Sequence, residues 1–134
     1  MKLMSRFEFY TGRSGGSALD VVLISFEKSL LMDVSNLMQG NTAINHFSAF
    51  DNLKKAEDYL RHHAIDLILF DADDNEIGWI IPYKRMKAFH PNVKVALMSS
   101  SRDAAVKAYE TGVWDYLLKP VKESQLKRII AKCR

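Results

Sequence analysis

One apolar stretch that ends in a carboxylate constrains the fold of this chain more than any other feature. Residues 67–70 read Leu-Ile-Leu-Phe, and Asp71 follows them directly. Because four apolar residues without polar alternation suit a strand that is buried on both faces, this pattern predicts a central strand of a parallel sheet flanked by helices. Asp71 then lies at the carboxyl end of the strand, which is the edge where open α/β sheets bind ligands.

Strand and helix patterns alternate five times from Leu19 onward. The predicted strands are residues 21–24, 43–50, 67–70, 93–98 and 114–118. Each is followed by a stretch with apolar residues at helical spacing. Such alternation predicts right-handed βαβ crossovers and hence an α/β fold with a doubly wound, five-stranded parallel sheet in the order 2-1-3-4-5. For the helix starts, Asp51 is a candidate cap of the second helix, and Ser100 with Asp103 resembles a capping box that opens the fourth.

The first 19 residues differ in composition from the rest. Residues 6–10 alternate like a short edge strand, whereas residues 12–17 have the Gly and Ser content of a flexible linker. No GxxxxGK pattern accompanies these glycines, which argues against a phosphate-binding loop. We therefore expect residues 1–19 to be an N-terminal extension of unknown role. Residues 20–134 are expected to form one domain, since a chain of 134 residues can bury one core but not two.

Charge, cysteine content and hydropathy narrow the classes of function. The formal net charge is +3, with Lys and Arg scattered along the chain, which argues against charge-driven nucleic-acid binding by this segment. The single cysteine, Cys133, excludes an internal disulfide and fits a reducing compartment, so we expect a cytoplasmic protein. Because no window reaches the roughly 18 apolar residues of a membrane span, no membrane partner is expected.

Polar residues follow four of the predicted strands and converge on the same edge of the sheet. They are Glu27 after the first strand, Asp71 after the third, Ser99 after the fourth and Lys119 after the fifth. A carboxylate can accept a phosphoryl group, while an ammonium and a hydroxyl can hold its oxygens. Taken singly, Asp71 is also a turn starter, Ser99 a helix-capping hydroxyl and Lys119 a surface ammonium. Their shared position favours a phosphoryl-handling site.

Four segments together resemble the receiver domain of bacterial two-component response regulators. These segments are residues 66–71, 99–103, 105–112 and 114–120, and the resemblance extends over about residues 20–134. The last two are the most specific, and they are most similar to receivers that precede LytTR-type DNA-binding domains. The resemblance implies the flavodoxin-like receiver fold and a role in signal transduction and transcription regulation rather than as an enzyme.

The resemblance also implies roles for individual residues and for partners. Asp71 matches the phosphoacceptor, Ser99 the hydroxyl that binds the phosphoryl group, and Lys119 the ammonium that bridges to it. Tyr116 takes the place of the switch aromatic, and the Lys119–Pro120 bond is expected to be cis. The implied partners are a sensor histidine kinase, if Asp71 is phosphorylated, and a second copy bound through the face of helix 4, strand 5 and helix 5. Nucleic acid is expected only through an effector domain outside this segment.

The chain departs from the family at the acids that bind Mg²⁺. Where the family places two adjacent acids after the first strand, this chain has Ser25 and Phe26, with an acid only at Glu27. Mg²⁺ prefers near-octahedral oxygen ligation, so the loss of a carboxylate predicts a weakened Mg²⁺ site. The candidate ligands are Glu27, Asp71 and Asp73. The turn after Asp71 departs as well, with residues 74–75 in place of the family's usual Met-Pro.

Three hypotheses about function follow. The first is a switch driven by phosphorylation of Asp71, and the second is a pseudoreceiver that has the same fold and interaction face but acts without phosphoryl transfer. Phe26 and the unusual turn favour weakened phosphorylation chemistry or another trigger. The third is a flavodoxin-like or nucleotide-binding enzyme. It requires a phosphate-binding loop after the first strand, and residues 26–29 match such a loop poorly.

Overall fold

The computed structural model describes residues 2–5, 8–11, 18–73 and 78–134. Within these ranges the chain forms seven strands and five helices. The strands are β1 (Lys2–Ser5), β2 (Glu8–Tyr10), β3 (Leu19–Ile24), β4 (Ile44–Phe50), β5 (Leu67–Asp71), β6 (Lys94–Ser99) and β7 (Asp115–Leu118). The helices are α1 (Lys28–Gln39), α2 (Leu53–His62), α3 (Ile80–Phe89), α4 (Arg102–Thr111) and α5 (Glu123–Cys133).

Five parallel strands form the centre of the sheet, in the order β4-β3-β5-β6-β7. This order confirms the predicted 2-1-3-4-5 arrangement of a doubly wound α/β fold. β5 lies in the middle, paired with β3 on one side and β6 on the other. The central position of β5 explains its sequence, because a strand covered by helices on both faces has no exposed side that requires polar residues.

The side chains of β5 alternate between the two faces of the sheet, and each face carries its own layer of the hydrophobic core. Leu67 and Leu69 belong to the core that α1 and α5 cover, whereas Ile68 and Phe70 belong to the core that α2, α3 and α4 cover. All five residues of β5 are buried. Successive side chains of a strand point to opposite faces, so one apolar run supplies both cores. The same packing fixes Asp71, at the end of this run, on the carboxyl edge of the sheet.

The sheet has seven strands rather than the predicted five, and one of the two added strands corresponds to the predicted edge strand. β2 pairs with β4 in the antiparallel sense, and β1 pairs with β2 in the same way. The predicted edge strand over residues 6–10 is therefore observed at Glu8–Tyr10, with a further strand outside it. Phe9 is buried and its ring stacks on that of Phe47, with centroids 5.2 Å apart. The predicted linker at residues 12–17 and the turn at residues 74–75 lie outside the described residues.

Two predicted helix caps are wrong by one residue. The cap of α2 is Asn52 rather than Asp51, since Asn52 Oδ1 accepts a hydrogen bond from the backbone N–H of Lys55 at 3.1 Å. The cap of α4 is Ser101 rather than Ser100. In both cases a neighbouring residue is also a good capping type, and only the backbone conformation decides which oxygen faces the free amides. Among the described residues, no helix combines the length and the apolar character needed to cross a membrane.

Candidate functional site

The carboxyl ends of four parallel strands bring the predicted site residues into one pocket. Asp71 and Ser99 are the last residues of β5 and β6, and Lys119 follows β7 directly. Ser25 follows β3 in the same way. Because parallel strands in one sheet share a carboxyl edge, four segments that are far apart in sequence meet here.

Both carboxylate oxygens of Asp71 accept hydrogen bonds. Oδ1 accepts from Nζ of Lys119 at 2.8 Å and from the backbone N–H of Asp73 at 2.9 Å. Oδ2 accepts from Oγ of Ser25 at 2.7 Å. Asp71 is only 1% exposed, and a buried charge requires such partners because they replace the water it has lost.

Ser25 is a functional contact that the sequence signalled only as a departure from the family. Its side chain is fully buried, and its Oγ accepts a hydrogen bond from the backbone N–H of Glu27 at 3.0 Å while donating to Asp71. The position directly after β3 was the available signal. A hydroxyl here donates a hydrogen bond to Asp71, whereas a carboxylate in its place would bind a cation, so the substitution changes what this corner of the pocket can bind.

The Lys119 ammonium lies among three carboxylates. Its Nζ is 2.8 Å from Oδ1 of Asp71, 3.1 Å from Oδ2 of Asp73 and 3.5 Å from Oε2 of Glu27. Burial alone would lower the pKa of Lys119, but the hydrogen bond and charge of Asp71, followed by those of Asp73, outweigh it and raise the pKa above its ordinary value. Lys119 is therefore held in its charged form.

Asp73 accepts a hydrogen bond from the hydroxyl that, by the resemblance, binds the phosphoryl group. Oγ of Ser99 donates to Oδ1 of Asp73 at 2.7 Å, and the backbone N–H and Oγ of Ser100 donate to Oδ2 at 2.9 and 3.0 Å. Burial would raise the pKa of Asp73, but the hydrogen bonds from Ser99, Ser100 and Lys119 lower it below its ordinary value. The structure thus places Ser99 in the pocket, bonded to Asp73.

The three predicted metal ligands do not fit Mg²⁺ in this arrangement. The carboxylates of Glu27, Asp71 and Asp73 all face the ammonium of Lys119. A metal ion bound by the same three carboxylates would compete with this ammonium. In the part of the chain that the structure describes, no group of three acidic, His or Cys side chains is arranged to hold a metal ion. Mg²⁺ needs several free oxygen ligands at short distance, and here hydrogen-bond donors occupy the oxygens of Asp71.

Hydrogen bonds connect the pocket to the start of α4. The Tyr116 hydroxyl donates to the backbone carbonyls of Ser101 and, at 3.5 Å, of Ser99. Ser101 caps α4 by accepting from the backbone N–H of Ala104 at 3.4 Å. The backbone N–H of Lys119 donates to the carbonyl of Ser99 at 2.8 Å, and the Lys119–Pro120 bond is cis, as the resemblance implies. The predicted switch aromatic therefore contacts the segment that carries Ser99.

Comparison with known proteins identifies the family. Residues 21–131 match the response regulator receiver domain. The chain is 21% identical over 117 residues to the protein MrkE of Klebsiella pneumoniae, covering 87% of this chain and 44% of MrkE. It is 35% identical over 81 residues to the transcriptional regulatory protein ZraR of Escherichia coli, covering 59% of this chain and 18% of ZraR. The chain thus spans less than half the length of these curated relatives.

Solved structures have the same fold. A response regulator from Thermotoga maritima superimposes with a TM-score of 0.75 at 24% identity, covering 87% of this chain and 97% of that one. The beryllofluoride-activated NtrC4 receiver domain dimer gives a TM-score of 0.75 at 21% identity, covering 85% and 94%. These matches do not favour the enzyme hypothesis, whereas the resemblance to receivers of LytTR-type regulators stays a prediction. From its matched residues and its fold, this chain belongs to the response regulator receiver domain family.

Proposed function

We propose that this receiver domain controls partner binding as a pseudoreceiver, without Mg²⁺-dependent phosphoryl transfer to Asp71. The observation that carries the proposal is the position of Lys119, whose ammonium is ion-paired with all three candidate metal ligands. A phosphoryl group that approaches a carboxylate needs a cation to offset the repulsion between them. Here one ammonium faces three carboxylates, so its charge is already neutralised before a phosphoryl group arrives.

The environment of Asp71 supports the same conclusion. To attack phosphorus, one of its oxygens must present a free lone pair, and three hydrogen bonds already occupy most of the roughly four lone-pair sites of the two oxygens. The hydroxyl of Ser25 replaces an acid that would help to bind Mg²⁺, and the neighbouring Phe26 is 38% exposed and offers no ligand. The presence of Ser25 and Phe26 therefore favours a structural role for the Asp71 carboxylate, as a hydrogen-bond acceptor, over a role as a nucleophile.

Phosphorylation of Asp71 is the second candidate, and the 2.8 Å contact between Asp71 and Lys119 favours it. In that reaction an Asp71 oxygen forms a bond to phosphorus while the bond from phosphorus to the donor breaks, and the donor keeps the electron pair. A sensor histidine kinase would be the physiological donor. The Asp71 side chain would then carry roughly 1.5 to 2 negative charges on its phosphoryl group in place of the single charge of its carboxylate.

Phosphoryl-donor incubation separates the two candidates. The wild type, Asp71→Asn and the double variant Ser25→Asp/Phe26→Asp are incubated with Mg²⁺ and acetyl phosphate, and intact mass is measured. Beryllofluoride binding is followed in parallel by fluorine NMR. We expect no adduct on the wild type. The double variant, which restores two adjacent acids, should bind Mg²⁺ at least about tenfold more tightly, roughly 1.4 kcal/mol, and acquire an adduct. An adduct on the wild type that Asp71→Asn abolishes would contradict the pseudoreceiver proposal.

The partner-binding face that we propose comprises α4, β7 and α5, with a second copy of the chain as partner. Two apolar side chains on α4 support it, since Tyr109 is 88% exposed and Val106 is 61% exposed. We expect Tyr109→Lys to abolish self-association in sedimentation velocity. Ile81→Lys is the matched control, because Ile81 is also 61% exposed but lies on α3. A wild type that stays monomeric at high concentration, or an equal loss in both variants, would contradict this choice of face.

The whole protein is proposed to be a cytoplasmic transcription regulator. Its relative ZraR is named a transcriptional regulatory protein and is much longer than the matched segment. Cys133 is a free thiol, which fits a reducing compartment. An effector domain outside this segment would supply any contact with nucleic acid.

A further inference from the structure

Asp73 makes more polar contacts than any other predicted site residue. Its carboxylate accepts from one hydroxyl of Ser99, from the backbone N–H and hydroxyl of Ser100, and from the ammonium of Lys119. A phosphoryl group presents three strong acceptor oxygens, and it is recognised by this combination of an ammonium, a hydroxyl and a backbone amide. The hydrogen-bond donors that suit a phosphoryl group are therefore already bound to the carboxylate of Asp73.

The carboxylate of Asp73 also lies beside that of Asp71 and contacts the same ammonium. The two side chains share the ammonium of Lys119, at 2.8 Å from Asp71 and 3.1 Å from Asp73. The backbone N–H of Asp73 donates to Asp71 at 2.9 Å, which keeps the two residues side by side. Ser99 reaches Asp73 from the neighbouring strand β6. The second anion thus contacts both the ammonium that pairs with the phosphoacceptor position and the hydroxyl that would bind its phosphoryl group.

We propose that the Asp73 carboxylate is a built-in substitute for the phosphoryl group, which holds Ser99, Ser100 and Lys119 in a bound arrangement without phosphorylation. The inference rests on the proposed function, because a substitute of this kind matters in a receiver that acts without phosphoryl transfer. Asp73 is a positioning residue in this account. It acts through the segment that joins β6 to α4.

The effect of Asp73 reaches α4 through three successive contacts. Ser99 Oγ, which donates to Asp73, accepts from the backbone N–H of Ser101 at 3.0 Å. The carbonyl of Ser101 accepts from the Tyr116 hydroxyl, and its side chain caps α4. Removal of the Asp73 carboxylate releases the Ser99 hydroxyl, which makes the first of these contacts. The Tyr116 ring and the start of α4 should then move, although neither touches Asp73.

NMR spectroscopy of the full chain tests this inference. The backbone amide of Ser100 and the ring of Tyr116 are followed in the wild type, in Asp73→Ala and in Asp58→Ala. Asp58 is the matched control, since it is a more exposed aspartate on α2 paired with Arg61 at 3.7 Å. We expect Asp73→Ala to shift the Ser100 amide proton upfield and to move the Tyr116 ring signals, whereas Asp58→Ala changes neither. Unchanged Tyr116 signals in a folded Asp73→Ala variant would overturn the inference.

Chemical rescue distinguishes two roles for Asp73. Its carboxylate can act as an anion that substitutes for the phosphoryl group, or it can simply fix the position of the neighbouring loop. Formate is added to Asp73→Ala, because it can return a carboxylate to the vacated position. We expect the Ser100 and Tyr116 signals to return toward their wild-type positions in a saturable manner, and Lys119→Met in the same background to abolish that return. If Tyr116 moves in Asp73→Ala but formate does not restore it, Asp73 is an anchor and the inference is wrong.

Two further measurements keep the test decisive. If Asp73→Ala does not fold, Asp73→Asn preserves the shape of the side chain and removes its charge. The wild type alone also gives an answer, because a Ser100 amide that exchanges freely with solvent is incompatible with the proposed contact. The proposed function fails on a different result, namely an Asp71-dependent adduct on the wild type. The two failures can therefore be told apart.

Discussion

The two ends of the parallel sheet hold their polar residues in different ways. At the carboxyl end, the carboxylates of Asp71 and Asp73 depend on the one ammonium of Lys119. Near the amino end, the ring of His46 contacts the hydroxyl of Tyr59 at 3.0 Å and the carboxylate of Glu8 at 3.1 Å. The ring of Tyr59 also stacks on that of His63 at 3.8 Å.

Because of this difference, we expect substitutions at the carboxyl end to change signalling and substitutions at the amino end to change only stability. A cluster of carboxylates that shares one cation loses that positive charge when the cation is removed, and the remaining neutral hydrogen bonds do not cancel the repulsion between the carboxylates. A cluster built from rings and single hydrogen bonds loses one contact at a time, and water can replace some of them. The carboxyl end is therefore sensitive to charge, whereas the amino end is sensitive to packing.

The largest expected effect is that of Lys119→Met at the carboxyl end. The substitution leaves the carboxylate of Asp71, which is 1% exposed, without its cation, and we expect a loss of about 3 to 5 kcal/mol in the free energy of unfolding. Chemical denaturation measures it. Lys127→Met is the matched control, because the Lys127–Glu123 pair is exposed and should contribute less than about 1 kcal/mol. A similar loss of unfolding free energy in both variants would contradict the expectation that the shared Lys119 ammonium contributes more to stability than the isolated Lys127 ammonium.

The next largest effect is that of Phe9→Ala in the added strand β2. The Phe9 ring is buried against Phe47, so its removal should cost about 3 kcal/mol in the free energy of unfolding. Because the ring lies far in the fold from the acid pocket, we expect the NMR signals of Ser100 and Tyr116 to stay at their wild-type positions. Movement of those signals would contradict the separation of the two ends.

The smallest effect concerns Asp115, at the amino end of β7. Its Oδ2 lies 2.9 Å from both Arg128 and Lys132 of α5. Burial would raise the pKa of Asp115, but the hydrogen bonds from Lys132, the backbone of Tyr116 and Arg128 lower it below its ordinary value. At neutral pH, Asp115→Asn should cost about 1 kcal/mol in the free energy of unfolding.

The sign of the pH dependence follows from that lowered pKa. The contribution of Asp115 is fully present above its unfolded pKa of about 3.9, and it is lost as the pH falls through the lower pKa of the folded state. The difference in stability between the wild type and Asp115→Asn should therefore shrink in acid. Denaturant unfolding at several pH values measures it. A difference that stays constant down to the lowest pH would contradict the role assigned to these ion pairs.

Much of the fold could be predicted because its pattern is local. The uninterrupted apolar run from Leu67 to Phe70 indicates a doubly covered strand, and the observed β5 has helices on both faces. The added strands are harder to predict from the sequence. β2 has only three residues, and its position depends on pairing with β4, which lies almost 40 residues later. A strand of that length has too few alternations to predict its partner or its neighbour.

The candidate site could be predicted in its membership but not in its contacts. The positions of Asp71, Ser99 and Lys119 follow from strand ends that must share an edge. The hydrogen bond between Ser99 and Asp73 cannot be predicted from the strand ends. It depends on how the chain after β5 brings the Asp73 carboxylate within 2.7 Å of a hydroxyl on another strand. The capping residue of α4 was likewise missed by one position, since Ser100 and Ser101 have the same side chain.

The strand order, the central position of β5 and the set of polar residues at its carboxyl edge could all be inferred from the amino-acid sequence. These features follow from apolar periodicity and from the handedness of βαβ connections, which act over short stretches of chain. Three contacts became apparent only in the folded molecule: Ser25 donates a hydrogen bond to Asp71, Lys119 lies among three carboxylates, and Ser99 donates to Asp73. The physical reason is that hydrogen bonds form or fail over a few tenths of an ångström, and that precision comes from packing between distant segments.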